Sequence, residues 1–386
     1  MTKKTRTRIL VICIVAFLIG VPYIVLYSLG YRVDFVRMKI FATGGIYVRT
    51  FPAADQIIID SKNFIKLGIF SNEAFVPNLL PIDHSVLIKK SGYYDYSKVL
   101  PVQEKLATKL ENVSLFKKDL TFTEVIDVAK SPFLPANQQE YIIKNSNLYY
   151  SVTAQNANLT TLQKNTALIK GILAFSMQNN NIIWLGTDGF LYQLDTNSLP
   201  MLIGTMAKKL TKTAIKTNTS KTAKYKIIID NKNTFLNNNS ELLLLNTKTQ
   251  NLEKFAEDVK DAKISPDGKY IVYFTPNEVF MTSLSQDPED PLSQAKNVSL
   301  YKSNTNINDL FWLNDSYIIF TTGNNIIISE IDYRGNINSV TLPDSAKLTD
   351  STTIAIASPK IIYKSEENKL YISTAKSVLT LDKVMP

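Results

Sequence analysis

His84 is the only histidine among 386 residues, and Cys13 is the only cysteine. One imidazole cannot build a multi-histidine metal site, and neither Cys-x-x-Cys nor His-Glu-x-x-His occurs. The chain also lacks a Gly-x-x-x-x-Gly-Lys-Ser/Thr phosphate loop, a Gly-x-Gly-x-x-Gly turn and a Gly-x-Ser-x-Gly nucleophile elbow. His84 stands at the start of an expected strand. It reads as a structural histidine, not as a member of a Ser-His-Asp triad.

The remaining acid–base chemistry belongs to carboxylates. Asp309, Asp315 and Glu278 could pair across a pocket for glycoside hydrolysis, which needs two carboxyl groups flanking the scissile bond. Nothing in their spacing joins them, and they read as solvated loop carboxylates. No catalytic, cofactor-binding or metal-binding residue is therefore assigned, and no cofactor is expected. Asp188-Gly189, Asp267-Gly268 and Asn324-Asn325 read as hairpin turns, because none carries the row of alternating acidic ligands that a calcium loop requires. Asn112, Asn158 and Asn297 open Asn-x-Ser/Thr triplets that chance explains in a chain so rich in Asn.

The net charge of +9 raises the question of nucleic acid. Residues 1–43 hold Lys3, Lys4, Arg6, Arg8, Arg32, Arg37 and Lys39 against Asp34, six of the nine net charges. Elsewhere the two signs are interspersed, with none of the clustering that a phosphate-binding stripe needs. A nucleic-acid partner is therefore not expected.

That charge flanks a run from Ile9 to Tyr31 in which 23 successive residues carry none. As a helix the run is about 35 Å long, enough to cross a hydrocarbon core. Pro22 is tolerable in a spanning helix, and Tyr23, Tyr27 and Tyr31 suit the far interface. No Ala-x-Ala cleavage site follows, so the reading is an uncleaved anchor. Leu10-Val11-Ile12 before Cys13 argue against a lipoprotein. Lys3, Lys4, Arg6 and Arg8 place the N-terminus in the cytoplasm. The expected order is a cytoplasmic tail (1–8), a transmembrane helix (9–31) and a juxtamembrane linker (32–43), followed by extracytoplasmic domains. Because Cys13 lies in the span, these domains have no disulfide, which fits a bacterial envelope.

Residues 44–118 contain strand-like runs at 46–51, 56–60 and 85–94, punctuated by Pro52, Asn63, Gly68 and Pro81, and read as a small antiparallel β unit. Gly45-Ile46-Tyr47-Val48, Phe51-Pro52-Ala53-Ala54, Ile57-Ile58-Ile59-Asp60, Leu80-Pro81, His84, Val86 and Gly92-Tyr93 together resemble the PEGA domain of bacterial surface and envelope proteins. The family has Gly after the Asp and Thr-Pro after the next Gly, where this chain has Ser61 and Ile69-Phe70. Both differences alter turns between 61 and 78. The resemblance implies a surface or wall-proximal role without naming a ligand.

Residues 119–386 carry a repeat of short strands and polar turns. Copies at 175–195, 264–284 and 311–331 align well, and weaker ones lie at 136–152, 224–246 and 356–374. Taking Tyr141, Ile182, Tyr225, Tyr270, Tyr317 and Ile361 as central-strand starts gives spacings of 41, 43, 45, 47 and 44. Such a period with several strands per unit is that of propeller blades, six of which fill this length. Ser265-Pro266-Asp267-Gly268-Lys269 resembles the turn of TolB-type and WD-like propeller repeats. The terminal run 377–384 is expected to pair with 121–128 and close the ring.

The fold class is thus mainly β, with one N-terminal transmembrane helix, a small PEGA-like domain and a β-propeller of about six blades. The expected function is non-enzymatic presentation of the propeller to an envelope protein or a cell-wall or surface polysaccharide. Two alternatives are an envelope glycan hydrolase or lyase with carboxylates in the propeller funnel, and a sensory or assembly subunit of an envelope complex.

Overall fold

The computed structural model describes residues 3–34, 39–61, 63–66, 71–125, 132–133, 141–150, 167–195, 207–217, 224–349, 352–374 and 377–385. Arg37, Asn158 and positions 126–128 of the expected closing strand lie outside the described residues. The chain divides into two compact units. One comprises Met1–Asp119, Arg334–Asn338 and Met385–Pro386, and the other Leu120–Tyr333 and Ser339–Val384.

The first unit begins with the helix Lys3–Ser28, which carries Pro22 within it. From Thr5 to Ser28 it is long and apolar enough to cross a membrane, and its large side chains are exposed all round, Ile12 at 66% and Ile19 at 69%. The helix stops short of the expected Tyr31. Gly30 takes φ +81°, and Tyr31–Asp34 instead pairs antiparallel with Lys39–Ala42. Arg32 then donates to the Tyr27 carbonyl at 2.9 Å and lies 3.4 Å over the Tyr27 ring. The guanidinium is a second donor to this helix-end carbonyl, which also accepts from the Gly30 N–H at 3.2 Å.

Beyond the helix, Gly44–Phe51 is the middle strand of a three-stranded sheet. It pairs antiparallel with Glu73–Leu79 but parallel with Ala107–Ser114. The unit is therefore mixed, not wholly antiparallel as expected. The long excursion between the two parallel strands supplies the crossover that such pairing needs. That excursion forms a four-stranded sheet in the order Asn63–Lys66, Gln56–Ile59, Asp83–Lys89, Tyr96–Pro101. The run expected as one strand over 85–94 ends at Lys89, because a turn follows from which Tyr93 bridges to Lys117. Alternation sends His84, Val86 and Ile88 inward from one strand and Tyr96, Lys98 and Leu100 from the next. Ile46, Val48, Ile57, Ile59, Val86, Ile88, Leu100 and Leu110 form the core that joins the two sheets.

The second unit repeats one antiparallel motif. In chain order its first sheet is Tyr141–Lys144, Asn147–Tyr150 and Ile169–Lys170. Four-stranded sheets follow, opening at Ile172, Lys226, Asp261 and Ile307. A six-stranded sheet completes the set, in which Lys360–Lys364, Lys369–Ser373 and Val378–Asp382 meander outwards. These are six blades among the described residues, and the first strands of successive blades lie side by side. Thr121–Glu124, from the start of the unit, pairs antiparallel with Val378–Asp382 and supplies the fourth strand of the last blade. The unit is a β-propeller whose ring is closed by its two ends, as the terminal runs imply.

Cores between blades hold the ring. Ala174, Ile183 and Leu185 meet Ile227 and Leu236, and Phe235 and Leu242 meet Val259, Ala262, Ile271 and Tyr273. The second strands Tyr270–Phe274 and Tyr317–Thr322 are buried along their whole length, as strands packed on both faces must be. The repeat register needs correction. Ile182, Tyr270 and Tyr317 lie in second strands, whereas Tyr141 and Ile361 lie in first strands and Tyr225 directly precedes one. Measured on first strands, the spacing runs from 31 residues (Tyr141 to Ile172) to 54 (Ile172 to Lys226). The even period came from aligning apolar runs, which first and second strands both contain.

Turn chemistry follows the local sequence. The Ser265 hydroxyl donates to Asp267 at 2.6 Å, and Asp267 accepts from the Lys269 N–H at 3.0 Å. Asp188 accepts from the Phe190 N–H at 3.2 Å and from the Tyr192 hydroxyl at 2.6 Å. The Asn324-Asn325 turn is shifted by one residue. Gly323 and Asn324 make the turn, while Asn325 already belongs to the strand Asn325–Glu330.

Candidate charged site on the propeller axis

A propeller's first strands line its axis. Here they are mostly apolar, but those of the third to sixth blades carry charged residues within their first three positions. Lys226 opens Lys226–Ile229 in the third blade, and Asp261 and Lys263 lie on Asp261–Ile264 in the fourth. Asp309 is on Ile307–Trp312 in the fifth, and Lys360 opens Lys360–Lys364 in the sixth.

These groups form a chain of alternating sign. The Lys226 ammonium contacts Asp261 at 2.5 Å, and Asp261 also accepts from the Ala262 N–H at 2.8 Å. Lys263 lies next, half-buried, with its ammonium 4.1 Å from the centre of the Phe311 ring. Its backbone carbonyl accepts from the Trp312 indole N–H at 3.0 Å, which ties adjacent first strands together. Burial pushes the Lys263 ammonium below its ordinary pKa, and Lys226 adds to this while Asp261 and Asp309 oppose it.

Asp309 accepts from the Ile361 N–H at 2.8 Å. Burial raises its carboxyl above the usual range, offset in part by that hydrogen bond and by Lys360 and Lys263. The two acids thus have partners within the protein. The ammonium groups of Lys263 and Lys360 make no hydrogen bond or ion pair with any described residue.

The three carboxylates singled out in the sequence are not brought together as a catalytic pair. Asp309 is on a first strand, half-buried and not in a solvated loop. Asp315 sits in the turn before Tyr317–Thr322 and accepts from the Asp267 N–H at 3.0 Å; burial and Asp267 raise it. Glu278 opens Glu278–Ser283 and pairs with Lys302 at 3.4 Å. Each is held by a different neighbour. Among the described residues no three His, Cys, Asp or Glu side chains form a metal-binding group.

His84 is buried at the start of its strand. Its Nδ1 is 2.5 Å from Asp60 Oδ2 and its Nε2 is 2.8 Å from the Leu80 carbonyl. It clamps the Asp60 turn to the chain entering Asp83–Lys89, a structural role. The axial lysines were missed in the sequence. For Lys226 and Lys360 the signal was a charge opening an apolar run, Lys226-Ile-Ile-Ile and Lys360-Ile-Ile-Tyr, and Lys263 had no such signal.

No family model matches the chain, and no curated protein does. The PEGA-like and TolB-like features therefore rest on the residues quoted above. Solved structures do align with it. The β-propeller domain of Cps50 (Swd1) from Myceliophteria thermophila aligns at a TM-score of 0.37 and 9% identity, over 78% of this chain and 92% of that one. Kluyveromyces lactis Hsv2 aligns at 0.35 and 11%, over 78% and 100%. YCF48, in a structure with a D1 peptide, aligns at 0.34 and 11%, over 87% and 94%. The architecture here stands on this chain's own blade order and end-to-end strand pairing.

Proposed function

We propose that this protein is a membrane-anchored bacterial envelope protein that presents its propeller as a rigid binding surface and catalyses no reaction. In this reading residues 1–8 are cytoplasmic, 9–31 contain the anchor and 32–43 lead to extracytoplasmic domains. Residues 44–118 are a PEGA-like module near the membrane, and 119–386 are a TolB-like or WD-like propeller that engages a protein or polysaccharide of the envelope.

The observation that carries the proposal is the helix itself. From Thr5 to Ser28 it exposes apolar side chains around its whole circumference. In water each large side chain left exposed forfeits roughly 1.5–3 kcal/mol of burial, so a bilayer is the environment that suits this surface. The scaffold reading draws support from Asp309, Asp315 and Glu278, each engaged by a separate neighbour and not aimed at one reaction centre.

Two measurements test it. The full chain should resist alkaline extraction from membranes, and protease added to spheroplasts should degrade the β units while sparing the N-terminus. Extraction into the soluble fraction, or protection of the β units, would reject the anchor or its orientation. Cross-linking in intact cells, with and without glycosidase digestion, should capture a partner. Digestion distinguishes a polysaccharide from a protein.

A further inference from the structure

We propose that the axial cluster Lys226, Asp261, Lys263, Asp309 and Lys360 is a recognition site for an acidic peptide segment, with Lys263 and Lys360 receiving its carboxylates. This rests on reading the propeller as a binding scaffold and supplies the chemistry of its ligand.

Partnering inside the protein makes the first argument. Lys226 is matched by Asp261 at 2.5 Å and Asp309 by the Ile361 N–H at 2.8 Å, while the ammonium groups of Lys263 and Lys360 have no acceptor among the described residues. Lys263 is half-buried, so its ammonium has lost part of its hydration and gained only the face of the Phe311 ring, while Lys360 is exposed and open to a ligand. An entering carboxylate would form charge-assisted hydrogen bonds, stronger than neutral ones.

Position makes the second. The lysines lie on first strands of a closed ring, where blade packing and the Trp312-to-Lys263 bond hold the backbone still before a ligand arrives. Little ordering is left to be done on binding.

The alternation of charge selects the class of ligand. Asp261 and Asp309 lie among the lysines, so a dense polyanion such as a polyphosphate would meet repulsion at every second step. An acidic peptide carries its negative charges singly, and its backbone N–H groups can donate to Asp309. The Phe311 ring, under the Lys263 ammonium at 4.1 Å, steadies that charge where a single carboxylate can reach it.

The test uses the full chain in detergent micelles and the acetylated peptide Gly-Glu-Gly-Glu-Gly, with its Gln counterpart as control. Calorimetry should show one saturable site that weakens as salt rises and does not accept the Gln peptide. The pair K263M and K360M should weaken binding at least about tenfold, as loss of charged hydrogen bonds implies. K263R should retain binding, and the distant K248M should leave it unchanged. Equal binding of both peptides, full affinity in the doubly substituted chain or no binding by the native chain would overturn the site. Tighter binding of polyphosphate or polygalacturonate would overturn the peptide assignment. Failure here, with a partner still captured in cells, overturns the axial site and leaves the scaffold reading intact, whereas failure of both experiments rejects both. Unchanged thermal melting of the variants ensures that affinity is read on folded protein. Should K263M unfold, K360M with K263R as its background carries the test.

Discussion

The Lys98 ammonium donates to the main-chain carbonyl of Asn336 at 2.9 Å from a side chain with no exposed surface. The Asn336 side chain meets the same strand, accepting from the Val99 N–H at 2.9 Å and donating to the Ser97 carbonyl at 2.6 Å. Tyr96–Pro101 is the edge of its four-stranded sheet, and these contacts occupy backbone groups that an edge would otherwise offer to other chains. Arg334–Asn338 thus belongs to the first unit for a chemical reason: asparagine reproduces the donor and acceptor of a missing neighbouring strand.

Gly335 allows that approach. It has φ +65°, and a Cβ there would lie 2.0 Å from the Val99 carbonyl oxygen. Gly335→Ala should destabilise the protein by about 2 kcal/mol or more, since neither the backbone conformation nor the space suits alanine. Asn336→Ala, which loses two hydrogen bonds without a clash, should be milder, at about 1–2 kcal/mol. Urea melts of the two variants check this, and equal stability of Gly335→Ala and wild type would refute the close contact.

The Asp60–His84 pair gives a pH dependence with a defined sign. Burial alone would raise the Asp60 carboxyl, but hydrogen bonds from His84 and from the Ser85 N–H outweigh it and hold the carboxyl below its usual range. A carboxyl depressed in the folded state stabilises at pH values above its unfolded pKa, and that contribution fades as pH falls through the folded value. The loss therefore begins near pH 4 and continues below it. Thermal melts from pH 7 to pH 3 should show a smaller acid decline for Asp60→Asn than for wild type; parallel curves would remove the pair from the account.

The ring closure and blade count were legible because each blade needs a few apolar strands and every propeller must join its ends. Tyr270–Phe274 stands out as a strand packed on both sides, and SVLTLDKV as an unpaired run needing a partner. Blade register was harder to see, because Ile361 and Tyr317 begin equally apolar runs although one lies in a first strand and the other in a second. The axial charges were hidden for a similar reason. Lys263 and Asp309 look like ordinary surface residues until strands 46 positions apart, starting at Asp261 and Ile307, are brought side by side. The Lys98–Asn336 contact has no sequence signal, since neither residue is unusual where it stands.

Ser61 takes φ +60° in the turn after Gln56–Ile59, next to Asp60 at +51°. The resembling family has glycine at this point. A serine there keeps a strained backbone that glycine would adopt freely. Ser61→Gly should therefore stabilise the first unit by about 0.5–1 kcal/mol despite the extra flexibility of the unfolded chain. An upward shift of the urea midpoint checks it, and a downward shift would mean that the serine side chain contributes more than the strain removes.

Phe122 tests the propeller's closure. It lies on Thr121–Glu124, is fully buried, and occupies the strand that pairs with Val378–Asp382 on one side and, in parallel, with Ser345–Leu348 on the other. Removing a buried aromatic ring leaves a cavity and loses about 3–5 kcal/mol. If the strand closes the ring, Phe122→Ala should also loosen the last blade more than the middle ones. Hydrogen exchange should then rise first at Val378–Asp382 and Lys369–Ser373, while Tyr270–Phe274 in the fourth blade keeps its protection. Uniform loss across all blades would mean that the ring unfolds as one unit, and unchanged exchange in the last blade would show that Phe122 does not hold the closing strand.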